Sequence, residues 1–209
     1  MKLYSYWRST TSYRVRIVLN LKGIAHEIVP VNLVKGEQRT PEYTAINPGR
    51  GVPVLELNDG TRLSQSLAII DYLEALYPDP AILPADPLAR ARTMAAAHQV
   101  ALDIHPVNNL RVVQHLETLG HSKADSVAWM VHWMQEGLTA FQAMIRPDTR
   151  FSFGDRPDLA DICMVAQLYN GRRWGLDLTP FQRIIDIEQA CLALPAFDAA
   201  RPENQPDAE

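Results

Sequence analysis

Residues 77–87, Tyr-Pro-Asp-Pro-Ala-Ile-Leu-Pro-Ala-Asp-Pro, carry four prolines in eleven positions. Proline fixes φ, removes an amide donor and biases the residue before it away from helix, so no helix or central strand runs through this stretch. It is a linker, and the sequence on its two sides has different periodicity. Before it, strand and helix patterns alternate: a strand over 3–6, a helix over 12–22, a strand over 26–31, a looser segment over 32–47 with a helical turn near 41–46, and a strand over 52–57. Asn58-Asp59-Gly60 then gives a hairpin signal, followed by a short strand over 61–63 and a helix over 65–76. After the linker the pattern is helical throughout. One long helix is expected over 87–119, bent around Pro106, and a second over 122–145. A third starts at Asp158 with Asp161 completing a capping box, and a fourth covers 181–193. Residues 201–209 are expected to fray. The fold class is therefore α/β plus all-α: a mixed-sheet domain over 1–78, a linker over 79–86 and an all-helical domain over 87–209.

Composition excludes several functions. A formal net charge of −4 leaves no nucleic-acid footprint. No apolar run reaches the roughly 18–20 residues of a membrane span, and the first residues lack the apolar core of a signal peptide. Cys163 and Cys191 are the only cysteines and form no CxxC, which points to a reducing cytoplasm, with Cys163 read as a core residue. The six histidines show no HExxH-type spacing, so no metal site is expected. Trp129, Met130, Trp133 and Met134 read as helix packing. Lys2, Lys22, Lys35 and Lys123 are the only lysines, so the cationic side chains are mostly Arg, the better fork for carboxylates.

Chemistry concentrates at a few points. Ser9-Thr10-Thr11-Ser12 are four successive hydroxyls where a strand gives way to a helix. The first amides of a helix lack intrahelical partners and carry partial positive charge, so hydroxyls there cap the helix or hold an anion. Val52-Pro53 opens a strand with proline, which suits an edge strand or a cis peptide. Gln65-Ser66 sits at a second helix start. Asp103 to Arg111, with His105 and Asn109, forms a polar patch denser than a core needs. Arg172-Arg173-Trp174 ends a helix, where basic residues complement the dipole.

In this order the motifs closely resemble the zeta-class glutathione transferase pattern, from Tyr-Ser-Tyr-Trp-Arg-Ser-Thr-Thr-Ser-Tyr-Arg-Val-Arg-Ile to Asp177-Leu178-Thr179-Pro180. The resemblance spans nearly the whole chain. It implies a thioredoxin-like first domain with a cis proline at Pro53, a helical second domain, and a homodimer. It also implies glutathione as a recycled cofactor and isomerisation of maleylacetoacetate or maleylpyruvate to the fumaryl form, in aromatic-compound catabolism. Carried over residue by residue, it assigns Gln38, Val52, Pro53, Gln65, Ser66, His105 and Asn109 to glutathione contacts. Arg8, Arg173 and, less directly, Arg111 fall to the dicarboxylate substrate. Ser9 falls to the thiolate, with Thr10 and Thr11 assisting. One departure stands out: many members have cysteine where this chain has Thr11, so catalysis here uses no protein thiol. A free thiol has a pKa near 8.5, and lowering it by about two units takes roughly 2.7 kcal/mol. A helix terminus at about 0.3–2 kcal/mol and one charged hydrogen bond at about 1.5–3 kcal/mol supply that together. Two other readings are a general glutathione transferase that conjugates or dehalogenates small electrophiles such as alpha-halo acids, and a non-catalytic binding module. The first favours an apolar pocket over paired arginines. The second needs none of Ser9, Val52-Pro53 or Gln65-Ser66.

Overall fold

The computed structural model describes residues 1–209 and separates into two units, Met1–Ala81 with Leu192–Glu209, and Ile82–Cys191. The first unit holds a four-stranded mixed sheet in the order β2-β1-β3-β4. Strand β1 (Lys2–Ser5) runs parallel to β2 (Glu27–Pro30) and antiparallel to β3 (Val54–Glu56), which pairs with β4 (Arg62–Ser64). The hairpin falls at the expected place: Leu57 N–H reaches Thr61 O at 2.8 Å and Gly60 takes φ 85, which only a residue without Cβ adopts freely. Strand β3 is two residues shorter at its start than expected, because Val52–Pro53 is cis and lies outside the ladder.

Helix α1 (Thr10–Leu21) buries Val15, Ile17, Val18 and Leu19, and the strands bury Leu3 and Leu55. The short helix α2 (Pro41–Ile46) covers the sequence-predicted turn, and α3 (Ser66–Leu76) buries Ile69, Ile70 and Leu73. Lys22 ends α1 with its buried ammonium on Glu74, Tyr77 O and Pro80 O.

The end of the chain departs from the sequence reading. Residues 192–209 belong to the sheet unit, not to the helical one, and 201–209 are ordered. Helix α9 (Pro195–Ala200), the last α-helix of the chain, packs on α1. Arg16, only 1% exposed, explains why: its Nε donates to Ala200 O at 3.0 Å, while its other nitrogens donate to Ser5 Oγ and Trp7 O at 3.1 and 3.0 Å. A buried guanidinium needs its donors matched, and the C-terminal backbone supplies an acceptor that a polar tail sequence does not advertise.

In the second unit the single helix expected over 87–119 is broken. Helix α4 (Pro87–His98) passes into a π-helical segment, Gln99–Ile104, then a turn, and α5 (Leu110–Thr118) follows. Pro106 accounts for the turn, and the π-helical segment before it packs on α6 (Lys123–Met144). Gly137 of α6 faces Ile104 so closely that a Cβ there would stand 2.2 Å from Ile104 Cγ1. Met130 and Met134 are buried, and Trp129 Nε1 donates to Val107 O at 3.0 Å, so this aromatic–Met stripe is packing. Helix α7 (Leu159–Arg173) has the expected reciprocal capping box of Asp158 and Asp161, and Cys163 is fully buried. Helix α8 (Gln182–Leu192) is tied to α7 by a bidentate ion pair of Arg172 with the buried Glu188. No helix is long and apolar enough to cross a membrane.

Candidate active site

Helix α1 starts at Thr10, two residues before the expected position, with Ser9 as its N-cap: Ser9 Oγ accepts from Ser12 N–H at 3.2 Å. Counting hydrogens fixes the direction of the next bonds. Thr11 Oγ1 lies 2.8 Å from Val52 O, and a carbonyl only accepts, so Thr11 donates there. Ser9 Oγ lies 2.9 Å from Thr11 Oγ1, whose one hydrogen is already used, so Ser9 donates to Thr11. The chain Ser9→Thr11→Val52 links the helix start to the residue before the cis proline, 41 positions away. Thr10, the first helical residue, is buried.

The Val52 peptide is braced from behind. Gly51 O accepts from Tyr43 Oη at 2.7 Å and from Asn47 Nδ2 at 2.8 Å, and burial drives the Tyr43 hydroxyl pKa upward, keeping it a donor. Tyr43 and Asn47 escaped sequence reasoning, which reads 32–47 only as a looser segment with a helical turn near 41–46. Gln38 is buried, with Nε2 on Leu33 O at 3.4 Å and Oε1 without a partner.

At the start of α3, Gln65 is the N-cap but makes no side-chain capping bond, and its backbone sits at φ 71, ψ 114. For a residue with a Cβ this costs on the order of 1–3 kcal/mol, and such outliers concentrate at ligand clamps. Ser66 follows, buried. Uncapped amides, a buried hydroxyl and a strained residue together suit an anionic group.

Tyr6 to Ser9 is a β-turn closed by Ser9 N–H on Tyr6 O at 2.9 Å, with Trp7 and Arg8 in its middle. The Arg8 guanidinium stacks 4.4 Å from the Trp7 ring centroid and donates to Tyr6 Oη at 3.1 Å. Its Nε is buried without a protein partner.

In the helical unit, Arg173 is exposed and stacks 4.7 Å from the ring of Trp174, itself held by Asn170 at 3.1 Å. Its neighbour Arg172 is taken by Glu188, which separates two arginines the sequence left side by side. Asn109 is the N-cap of α5, accepting from Arg111 N–H at 3.2 Å, so its side-chain oxygen has a structural task. His105 is half-buried in the turn after the π-helical segment, and Arg111 is exposed.

The description "Glutathione S-transferase, N-terminal domain" matches residues 8–76. A maleylacetoacetate isomerase from Pseudomonas aeruginosa is 48% identical over 209 residues, covering 99% of this chain and 98% of that one. A solved holo structure of a maleylpyruvate isomerase, a bacterial zeta-class glutathione S-transferase, has a TM-score of 0.97 at 45% identity and covers 100% of both chains. The chain belongs to the zeta-class glutathione transferases. A second solved structure, a maleylacetoacetate isomerase from Methylobacterium extorquens with bound malonate and glutathione, is 38% identical with a TM-score of 0.96 over 100% of both chains.

As a zeta-class glutathione transferase it has the family fold, a four-stranded mixed sheet followed by helices, and glutathione as its cofactor. The residues fit that ligand. The open α3 terminus suits a carboxylate, the unmatched Gln38 oxygen suits an amide donor, and the hydroxyls at α1 suit a thiolate.

Proposed function

We propose that this chain is a glutathione-dependent cis–trans isomerase that converts maleylacetoacetate or maleylpyruvate to the fumaryl isomer in aromatic-compound catabolism. The observation carrying this reading is the Ser9–Thr11–Val52 hydroxyl chain at the start of α1, in a protein that aligns end to end with isomerases of this class.

A double bond does not rotate until it has been made single. Bound glutathione supplies the thiolate that adds to the cis double bond and leaves once rotation has given the trans geometry. The amides at the start of α3, with Gln65 and Ser66, hold the γ-glutamyl carboxylate. The Val52 backbone and Gln38 align the peptide part, and His105 and Asn109 are assigned to the same ligand. Ser9 turns its proton from Thr11 to the sulfur. That exchanges a neutral bond worth about 0.5–1.5 kcal/mol for a charged one worth about 1.5–3 kcal/mol, a gain near one pKa unit. Thr10 and the helix dipole contribute the rest. Arg8 and Arg173 bind the two carboxylates of the diacid, with Arg111 at the periphery. The enzyme is read as a cytoplasmic homodimer, which sedimentation at micromolar concentration tests.

The deciding assay follows the ultraviolet absorbance of fresh maleylpyruvate and maleylacetoacetate, each with and without glutathione. Rapid conversion that strictly needs glutathione is expected, and the relative rates name the substrate. Glutathione binding without conversion of either substrate would refute the reading. Arg173→Ala is expected to cut diacid turnover at least tenfold, as for a lost charged contact, with glutathione affinity intact; equal loss of both would remove Arg173 from the substrate site.

A further inference from the structure

Two β-turns meet in the sheet unit although nearly the whole chain separates them. One is Tyr6–Ser9, which carries Arg8. The other is closed by Ala208 N–H on Gln205 O at 3.1 Å and has Pro206 and Asp207 at its centre. Proline at the second position presets φ for such a turn, and aspartate suits the third. Gln205 anchors it: its side chain is buried and donates to Ala199 O and Arg201 O at 3.1 and 2.8 Å. The product of this anchoring is a carboxylate held against Trp7, with Trp7 N–H donating to Asp207 Oδ2 at 3.0 Å.

That contact completes a clamp. The Trp7 carbonyl accepts from Arg16 at 3.0 Å and the Trp7 amide is held by Asp207, so the residue is fixed on both peptide sides. Trp7 is buried, and its ring is the surface on which the Arg8 guanidinium lies. Asp207 Oδ1 is buried with no hydrogen-bond donor facing it, a costly state for a carboxylate kept only to fold a tail. Arg8 is the cation on the turn that Asp207 grips.

We propose that Asp207 is a positioning residue for the diacid site: its carboxylate fixes Trp7, and Trp7 aims Arg8 at a substrate carboxylate. This rests on the reading of Arg8 as a carboxylate ligand. The turn that Asp207 grips carries Arg8 in its middle and ends at Ser9; the γ-glutamyl contacts lie apart from it at α3, so loss of Asp207 acts first on diacid binding and leaves most of the glutathione affinity in place.

The test compares Asp207→Ala, Asp207→Asn, Arg8→Ala and the double Asp207→Ala/Arg8→Ala variant. Two quantities are measured: KM for the diacid, and the calorimetric Kd of malonate, a non-reacting diacid, in the presence of glutathione. Asp207→Ala is expected to raise both about tenfold, as for loss of a hydrogen bond to a charged group, with glutathione Kd within about twofold. Asp207→Asn keeps an oxygen facing Trp7 N–H and stays within about threefold of the parent. In the double variant the alanine at 207 adds nothing to the Arg8 defect, the signature of one residue acting through another. Parent-like Asp207→Ala beside a defective Arg8→Ala overturns the positioning role alone. So does an asparagine variant as damaged as the alanine one, or a double variant in which the defects multiply. Parent-like Arg8→Ala overturns the carboxylate role of Arg8 and the positioning role with it. Equal loss of glutathione and malonate affinity in Asp207→Ala marks Asp207 as structural only.

Discussion

Helices α1 and α3 both begin at proposed anion sites in the same sheet unit, yet one start is closed by side chains and the other left open. At α1, Ser9 caps the helix and its proton is turned to Thr11. At α3, Gln65 offers no cap and its backbone is held at φ 71. The difference matches the charges proposed for each. A γ-glutamyl carboxylate is ionised throughout the cycle, so permanent open amides serve it best. A sulfur that is anionic at some stages and neutral at others is better met by a hydroxyl with somewhere else to put its proton. A switchable donor costs little when the charge is gone, because Thr11 takes the bond back.

Three substitutions test that contrast. The largest effect is expected from Ser66→Ala, which removes a donor from the open site. Loss of a bond to a charged group, about 1.5–3 kcal/mol, weakens glutathione binding roughly 10- to 150-fold by calorimetry, while the pKa of the bound thiol is unmoved. A shifted thiol titration would show that the two starts are not separate.

Ser9→Ala should do the reverse. The bound thiol pKa, followed by thiolate absorbance, rises by about one unit. Loss of the cap removes about 0.5–2 kcal/mol of stability, and glutathione affinity falls less than in Ser66→Ala. Thr11→Val sharpens the point, since it takes away the competing acceptor: its thiol titration should lie at or below that of the parent. An unchanged titration in Ser9→Ala would reduce Ser9 to a cap.

The smallest effect concerns a third helix start. At α7 the cap is a carboxylate, and no ligand is proposed. Burial, with the Asp161 charge behind it, pushes the Asp158 carboxyl up to about 8, and burial raises Asp161 as well. A folded value above the unfolded one near 3.9 means that this group's contribution is complete below about pH 4 and fades as pH climbs towards 8. Asp158→Asn keeps the oxygen that accepts from Ala160 N–H and does not ionise. Thermal melts from pH 4 to 8 should therefore fall less steeply for the variant than for the parent; parallel slopes would acquit Asp158.

Local chemistry was legible along the chain, and distant chemistry was not. The capping boxes of Ser122 with Asp125 and of Asp158 with Asp161 are four-residue patterns, and both helices start where the sequence puts them. Helix α2 begins at a Thr-Pro pair and matches to the residue. The start of α1 slipped by two, because four adjacent hydroxyls are equally good caps and only the Thr11–Val52 contact selects Ser9. The π-helical segment ends at Ile104 against Gly137 of α6, a close approach that no pattern within α4 reveals. Likewise the candidate hydroxyls and Gln65 stand out in the sequence, whereas the Tyr43 and Asn47 brace and the pairing of Arg172 with Glu188 depend on partners distant in the chain.

The bond from Arg16 to Ala200 spans 184 residues. Ribosomes add about 5–20 residues per second, so Arg16 waits roughly 10–40 s during synthesis before that acceptor exists. Ser5 Oγ and Trp7 O are already in place to accept from it, but until then its Nε lacks the Ala200 acceptor, and an unmatched buried donor counts against final packing around Arg16. Ile82–Cys191 is synthesised in that interval. The sheet unit thus takes an acceptor for its buried guanidinium from residues synthesised after the whole of the helical unit.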